Sequence, residues 1–362
     1  MRIKGTKICF VGNMVGRNPG FVTTQGQIVA DLLSREGYTV TCVSSKLSRP
    51  MRLAEIVATL IKGFRGFDVI VVEVYSGLGM IIADVAGRLA RLFRTPLIMV
   101  LHGGNLPDFM RSHPLWTKSV LNRATSLVAP SSFLSTEIGS FGYEISEIRN
   151  VIDIDNYPYR ERSQIQPRLI WMRSFHPLYN PLMAIAVLAD LRKSHPRASL
   201  TMAGVDKGME GTVRRTVNDL GLSDAVRFPG FLNAEEKIVE FDSADIYLNT
   251  NLIDNMPVSV IEACAFGLPV VASRVGGVPF LIDHGENGML VPGEDVNAMT
   301  VAIMKLLSDP LLTRKISRGA RQLAERSDWK SVRNDWENVL NKTLGESFST
   351  TGEILPNETS PV

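Results

Sequence analysis

The sequence predicts an α/β protein of two consecutive Rossmann-like domains facing each other across a cleft. Three observations lead there. Short β-rich runs alternate with helical patterns, the order that builds a parallel sheet covered on both faces. The alternation breaks at "NYPYRERSQIQPR", where Pro, Arg and Gln take over as in a linker, and then restarts. The chain has 362 residues, 45% hydrophobic and 21% charged, which is more than one hydrophobic core sustains. The expected boundaries are 1–160 for the first domain, 161–325 for the second, 326–344 for a last helix returning to the first, and 345–362 for a polar, disordered tail.

In the first half, "TKICFVGN" is an apolar strand. "TTQGQIVADLLSREG" follows as a helix, with Ile28, Leu32 and Leu33 on one face and Gly37 as its stop. "YTVTCVSS", "DVIVVEVYS", "PLIMVLHGG" and "TSLVAPSS" are the next strands. The second half reads as strand "RLIWMRS", helix "PLMAIAVLADLRKSH", strand "ASLTMAG", a helix through "VRRTVNDLG", strands "AVRFPG" and "ADIYLNT", helix "VSVIEACAFG" and strand "PVVAS". "WKSVRNDWENVLNKTL" is a late helix with Trp329 and Trp336 seven positions apart on one face. In such sheets ligands bind beyond the carboxyl ends of the strands.

Composition excludes several classes. Cys9, Cys42 and Cys264 sit in apolar contexts without metal-ligand spacing and read as buried, reduced thiols of a cytoplasmic protein. The apolar run after Met1, Arg2 and Lys4 is too short for a secretory signal. No run reaches the roughly 18 apolar residues of a spanning helix. Up to Ser163 there are 19 Lys and Arg against 13 Asp and Glu; from Gln164 there are 20 against 24. The basic first half favours an anionic surface, either membrane or phosphate-bearing substrate. No nucleic-acid partner and no metal is expected: "DID" at 153–155 lies just before the linker, and "GNMVGRNPG" lacks the G-x-G-x-x-G of a dinucleotide site.

The stretch "DNMPVSVIEA", Asp254 to Ala263, holds two carboxylates eight positions apart across a loop entering a helix. Pro257 suits a helix start, and Gly267 ends the helix that runs from Val258 to Phe266. Helical side chains lean toward the N-terminus, so Glu262 reaches back over the opening turn. The free amides of Val258 and Ser259 point into the same space and attract anions. With Asp254 above them, the result is a phosphate seat beside two hydroxyl acceptors, suited to a nucleotide-sugar. A capping Glu262 and an ordinary turn at Asp254 fit the same spacing.

"DNMPVSVIEACAFGLPVVAS" resembles the E-x7-E segment of the retaining glycosyltransferases called family 4, of the GT-B fold. "GGVPFLIDHGENGMLVP", "AVRFPGFL", "ADIYLNT", "NVID" and the Trp-bearing helix resemble further segments in the family's order, from about Ile8 to Leu340. The resemblance implies a metal-independent hexosyltransferase that needs no cofactor and takes a nucleotide-sugar, a UDP- or GDP-sugar, as donor. Glu262 would bind the ribose. Asp254, where the family usually has Glu, would touch the transferred sugar, and Arg173 would grip the diphosphate. Tyr179 or Asn180 occupies the place of a companion Lys. Asn255, Met256, Pro257, Val258 and Ser259 would line the donor, Gly20 would match the glycine loop near the phosphates, and His102 in "LHGGN" would lie near the sugar. Phe280 stands where many members carry Glu. His102 and Gly20 also fit as ordinary loop residues, and Arg173 as a surface arginine.

Arg173 and the helix amides would stabilise charge on the leaving diphosphate. Domain closure would exclude water. The acceptor implied is a glycan or a lipid-linked sugar in envelope polysaccharide assembly. "KLSRPMRLAEIVATLIKGFR" carries five basic residues and one acid, with Leu53, Ile56, Leu60 and Ile61 able to share a helical face. It fits peripheral contact with an anionic membrane, or a helix packing that face on the sheet. A GT-B-fold epimerase acting on the nucleotide-sugar alone, and a non-catalytic nucleotide-sugar binder, are the alternatives.

Overall fold

A computed structural model describes residues 5–18, 20–63 and 65–349, with Arg17 and residues 346–349 described by backbone only. Two six-stranded sheets follow one another along the chain. The first contains β1 (Lys7–Val11), β2 (Thr39–Val43), β3 (Val69–Val74), β4 (Leu97–Leu101), β5 (Ser126–Ala129) and β6 (Ile145–Glu147), in the order 2-1-3-4-5-6. The second contains β7 (Arg168–Met172), β8 (Ser199–Ala203), β9 (Val226–Gly230), β10 (Ile246–Asn249), β11 (Val270–Ser273) and β12 (Met289–Val291), in the order 12-11-10-7-8-9. Every strand pair is parallel. The order reverses between β1 and β3 in one sheet and between β7 and β10 in the other. Crevices at such reversals are where parallel sheets hold ligands.

The helices are α1 (Gln25–Arg35), α2 (Arg49–Lys62), α3 (Gly79–Leu92), α4 (Leu106–Ser112), α5 (Pro114–Leu121) and α6 (Ser132–Gly139) around the first sheet. Around the second are α7 (Pro181–Leu191), α8 (Glu210–Asp219), α9 (Ala234–Ser243), α10 (Val258–Ala265), α11 (Val296–Ser308) and α12 (Pro310–Glu325). Burial on both faces explains the near-continuous apolar strands. On β3, Ile70 and Val72 pack with Ile56 of α2 and Ala83 of α3. Val69 and Val71 point the other way, against Leu33 of α1 and Trp336 of the last helix, α13 (Trp329–Ser349). Helix α13 thus lies on the first domain although it follows the second, with Trp336 6.4 Å from Phe10 between ring centroids.

Several expectations need correction. Residues 345–349, assigned to the tail, continue α13; residues 350–362 lie outside the described residues. The linker is packed: Arg162 is fully buried and donates to the carbonyls of Phe241, Ala244 and Phe266. On α2, Ile56 and Leu60 are buried, but Ile61 is exposed, because it sits one position past the face that meets the sheet. Cys42 is half-buried, while Cys9 and Cys264 are buried and their thiols pushed up to about 12 chiefly by burial.

The chain crosses between domains twice, and the crossings touch. Ile152 and Asp328 form a parallel bridge. The Ile152 amide donates to the Ser327 carbonyl at 2.9 Å, and the Ile154 amide to Asp328 Oδ1 at 3.2 Å.

Candidate active site

The second domain's reversal point gathers most of the acidic and basic candidates. Arg173 leaves the carboxyl end of β7, its amide tied to the Ala203 carbonyl of β8 at 3.1 Å. The loop after β10 begins at Thr250, whose hydroxyl accepts from Trp171 Nε1 (3.0 Å) and donates to the carbonyls of Tyr179 (2.8 Å) and Asn180 (2.9 Å). This hydroxyl therefore fixes the Tyr179 turn beside Arg173. The Arg173 guanidinium lies 4.1 Å from the centre of the Tyr179 ring, a cation–π distance. Its Nη2 donates to Asp254 Oδ2 at 2.5 Å and its Nη1 to Ser259 Oγ at 3.4 Å. Burial alone would lower the arginine's pKa. Asp254, with Tyr179, Tyr247 and Glu262, outweighs it and holds the guanidinium above its ordinary range.

Asp254 is held from several sides. Asn251 donates to Oδ2 at 2.5 Å and the Asn255 amide to Oδ1 at 2.8 Å. Its carbonyl accepts from the Gly277 amide at 2.9 Å. A Cβ at Gly276 would come within 2.1 Å of that same carbonyl oxygen, so this position has to be glycine. Pro257 then opens α10 in extended backbone, and no side chain caps the first amides of that helix. Ser259 through Ala265 are all buried. Glu262 Oε1 accepts from the Tyr157 hydroxyl at 3.0 Å and from Lys237 Nζ at 2.7 Å. Burial, then the Glu262 charge, pushes the Tyr157 hydroxyl far up.

Lys237 and Tyr157 were missed in the sequence. Lys237 sits in the charged "AEEKIVEF" run of α9 and Tyr157 in the linker, with no spacing that ties either to Glu262. A capping box from Asn233 and Glu236 starts α9 and sets where Lys237 projects.

The first domain meets this loop directly. His102 follows β4, with its ring stacked on Tyr75 at 5.0 Å and 18°. Two residues on, Gly104 presses on the Asp254 backbone, where a Cβ would stand 3.0 Å from the carbonyl carbon and oxygen. Asn255 Oδ1 accepts from the Ser131 hydroxyl, and the Met256 carbonyl accepts from Asn150 Nδ2 at 2.8 Å. These groups of Asn255 and Met256 therefore face the first domain. Phe280 packs its exposed ring 6.0 Å from Phe133 across the same boundary. Gly20 has a φ of 79°, is exposed, and among the described residues has no neighbour near a would-be Cβ and no contact that ties it to the cluster. His176 Nδ1 accepts from the Leu178 amide and caps a turn. Asp153 pairs with Arg35 and Asp155 with Lys330.

Arg173, Tyr179, Asp254 and Ser259 thus form one contact cluster, the Glu262 charge acts on the same guanidinium, and the loop that carries His102 meets the Asp254 backbone. The arrangement offers a guanidinium and uncapped helix amides to an anion, and carboxylates to hydroxyls. Residues 159–323 match the model of the family described as glycosyl transferases group 1. The match falls on the second domain. A glycogen synthase of Mycobacterium tuberculosis is 28% identical over 278 residues, covering 70% of this chain and 64% of its own. A GDP-mannose-dependent alpha-(1-6)-phosphatidylinositol monomannoside mannosyltransferase of Mycolicibacterium smegmatis is 32% identical over 152 residues, 40% of each chain. The chain therefore spans less than two thirds of the length of these relatives. Among solved structures, the sucrose-phosphate synthase of Thermosynechococcus elongatus superposes with a TM-score of 0.78 at 16% identity, over 94% of this chain and all of that one. HepE of Anabaena, in complex with UDP and glucose, gives 0.73 at 18%, over 93% of this chain and 99% of that one. The chain has the GT-B fold.

Proposed function

We propose that the protein is a retaining glycosyltransferase that moves a sugar from a nucleotide-sugar, a UDP- or GDP-sugar, to a glycan or lipid-linked acceptor in envelope polysaccharide assembly. The observation that carries the reading is the cluster in which Arg173 pairs with Asp254 beside Glu262 and Asp254 meets the His102 loop, on a domain that matches the group 1 glycosyltransferase model. HepE, a structural neighbour, holds UDP and glucose.

In this reading the ribose hydroxyls displace Lys237 and Tyr157 from Glu262, and the diphosphate draws Arg173 from Asp254. The freed Lys237 supplies a second positive charge where Tyr179 leaves none. The released Asp254 accepts from a sugar hydroxyl, with His102 on the sugar's other side. The anomeric carbon–oxygen bond breaks with its electron pair passing to the diphosphate, where Arg173 and the amides of Val258 and Ser259 meet the charge. The acceptor oxygen bonds to the same face of that carbon and its proton goes to the leaving phosphate oxygen. No metal or cofactor is invoked, and the reaction belongs on the cytoplasmic side of the membrane. Contact with anionic lipid rests on α2 and the turn before it, where Leu47, Met51 and Ile61 are exposed among Lys46, Arg49, Arg52 and Lys62. Among the described residues no helix is long and apolar enough to cross a membrane.

Thermal shift of the purified protein with UDP-, GDP-, ADP- and dTDP-sugars, with and without a chelator, tests the donor site. One nucleotide class should stabilise the protein, and Glu262→Ala should lose the effect. No shift with any nucleotide would overturn the reading. Incubation with donor and acceptor, with the product's anomeric configuration read by NMR, tests transfer and retention. Salt-sensitive co-sedimentation with anionic vesicles tests the membrane contact.

A further inference from the structure

A second carboxylate lies at the first domain's reversal point, and the mechanism above does not use it. Glu73 sits on β3 in the middle of an apolar run and is only 2% exposed. Its Oε1 accepts from the Gly26 amide at the start of α1, at 2.8 Å, and stands 3.7 Å from His102 Nε2. Its Oε2 is buried without a partner, and so is His102 Nε2. The backbone is shaped around this carboxylate. A Cβ at Gly12 would come within 2.5 Å of Oε2, and one at Gly26 within 2.7 Å of Oε1. The buried, unpartnered His102 Nε2 has the Glu73 carboxylate beside it, with Oε1 the near oxygen, and a buried polar group left unpaired is costly. A small tilt of the imidazole closes 3.7 Å to a hydrogen bond, and contacts of this kind are commonly long in a ligand-free site.

We propose that Glu73 is the positioning residue of His102, fixing which ring nitrogen carries the proton and so whether His102 offers a lone pair or an N–H to a ligand in the cleft. Nε2 is closed off, so Nδ1 is the nitrogen a ligand can meet. When Glu73 is ionised it accepts the Nε2 proton, and Nδ1 presents a lone pair to a hydroxyl. When a proton is taken up from solvent at Nδ1, the proton between Nε2 and Glu73 moves onto the carboxylate, and Nδ1 becomes a donor. The ring is neutral in both states.

Burial pushes Glu73 up to about 7, against the Gly26 amide and, more distantly, Asn13 and Thr24, which lower it. Burial also pushes His102 down to about 4. The exchange therefore falls near neutral pH. Among the described residues, the ionisable groups facing Glu73 are His102 of the β4 loop and Tyr75 of the β3 loop, whose hydroxyl is itself pushed well up by burial and then by Glu73. The structural assignment stands on its own geometry; the sugar as the ligand of Nδ1 rests on the function proposed above.

The test is nitrogen NMR of the full-length protein labelled at its 5 histidines, with His102 assigned by loss of its signals in His102→Asn. The expected result is a ring that stays neutral between about pH 5 and 8, with the proton on Nε2 above neutrality and on Nδ1 below it. In Glu73→Gln the ring should keep one tautomer throughout. A single titration to imidazolium, or an unaltered tautomer exchange in Glu73→Gln, overturns the proposal. Should Glu73→Gln not fold, the wild-type titration decides by itself. No nucleotide-sugar enters this measurement, so a failed transfer assay leaves it intact. With an active donor, Glu73→Gln should lower kcat/KM by about 10²-fold and remove a pH inflection near 7, where a purely structural role would change the melting point alone.

Discussion

At the scale of single residues, the carboxylates of the site are already occupied: Asp254 and Glu262 each hold a cation. Arg173 occupies Asp254 and Ser259, and Lys237 occupies Glu262. Loss of Arg173 should therefore remove charge stabilisation that a leaving diphosphate needs. Arg173→Ala is expected to lower kcat about 10²–10³-fold, the usual effect of losing one aimed donor. Arg173→Lys should not restore it, since a single ammonium does not span the two acceptors that Nη1 and Nη2 reach. Steady-state kinetics on both variants checks this. Glu73 and His102 make a second prediction, about stability. Glu73 is raised to about 7 by burial, so its contribution is full below the carboxyl's ordinary range and is lost as pH rises through 7. His102 is lowered to about 4, so its contribution is full above about 6.5 and is lost as pH falls through 4. Each amounts to about 3 kcal/mol, and between pH 4 and 6.5 they oppose each other. Melting temperature should thus rise with pH over that window in Glu73→Gln and fall in His102→Asn, with the wild type flatter than either.

At the scale of elements, the strand–turn junctions hold the site. Gly204, at the end of β8, has a φ of 146°, and a Cβ there would stand 1.9 Å from the Arg173 carbonyl oxygen. Gly204→Ala should push the β7 and β8 ends apart and destabilise by about 1–3 kcal/mol or more. It should also weaken any nucleotide-induced thermal shift, because Arg173 hangs from that junction; differential scanning fluorimetry reads both effects. How much of this was legible depends on how local the cause is. "KICFV", "VIVVEV" and "LIMVL" read as strands because burial on both faces removes polar residues from them. The helix carrying Glu262 could be bounded from Pro257 and Gly267 alone. Glu73 carries no local signal of its surroundings, since its cradle is built by Gly12 and Gly26, many residues away in sequence. Lys237 and Glu262 lie 25 positions apart on different helices, a separation without periodicity. Arg162 read as linker for a similar reason: the carbonyls that satisfy it come from α9, the residue following it, and the turn after α10.

At the scale of the whole molecule, the contact between Gly104 and Asp254 sets how closely the two domains approach. A larger side chain there would meet backbone, which cannot swing aside. Gly104→Val should hold the cleft wider, raising the radius of gyration measured by small-angle X-ray scattering and lowering kcat/KM, with the melting temperature little changed. The loss of Phe133→Ala at the aromatic contact should act in the same sense but more weakly, since its partner Phe280 is half in solvent. The paired crossings at Ile152 and Asp328 bear on the same movement. Two strands of chain fastened side by side behave like the two leaves of a door hinge: they permit rotation about the line they share and resist swivel and twist. A protease nick in either crossing would leave the other intact, with the severed piece still clamped through α13. A swing that opened and shut the cleft would thereby turn about one axis, and the molecule would keep that axis even with its backbone cut.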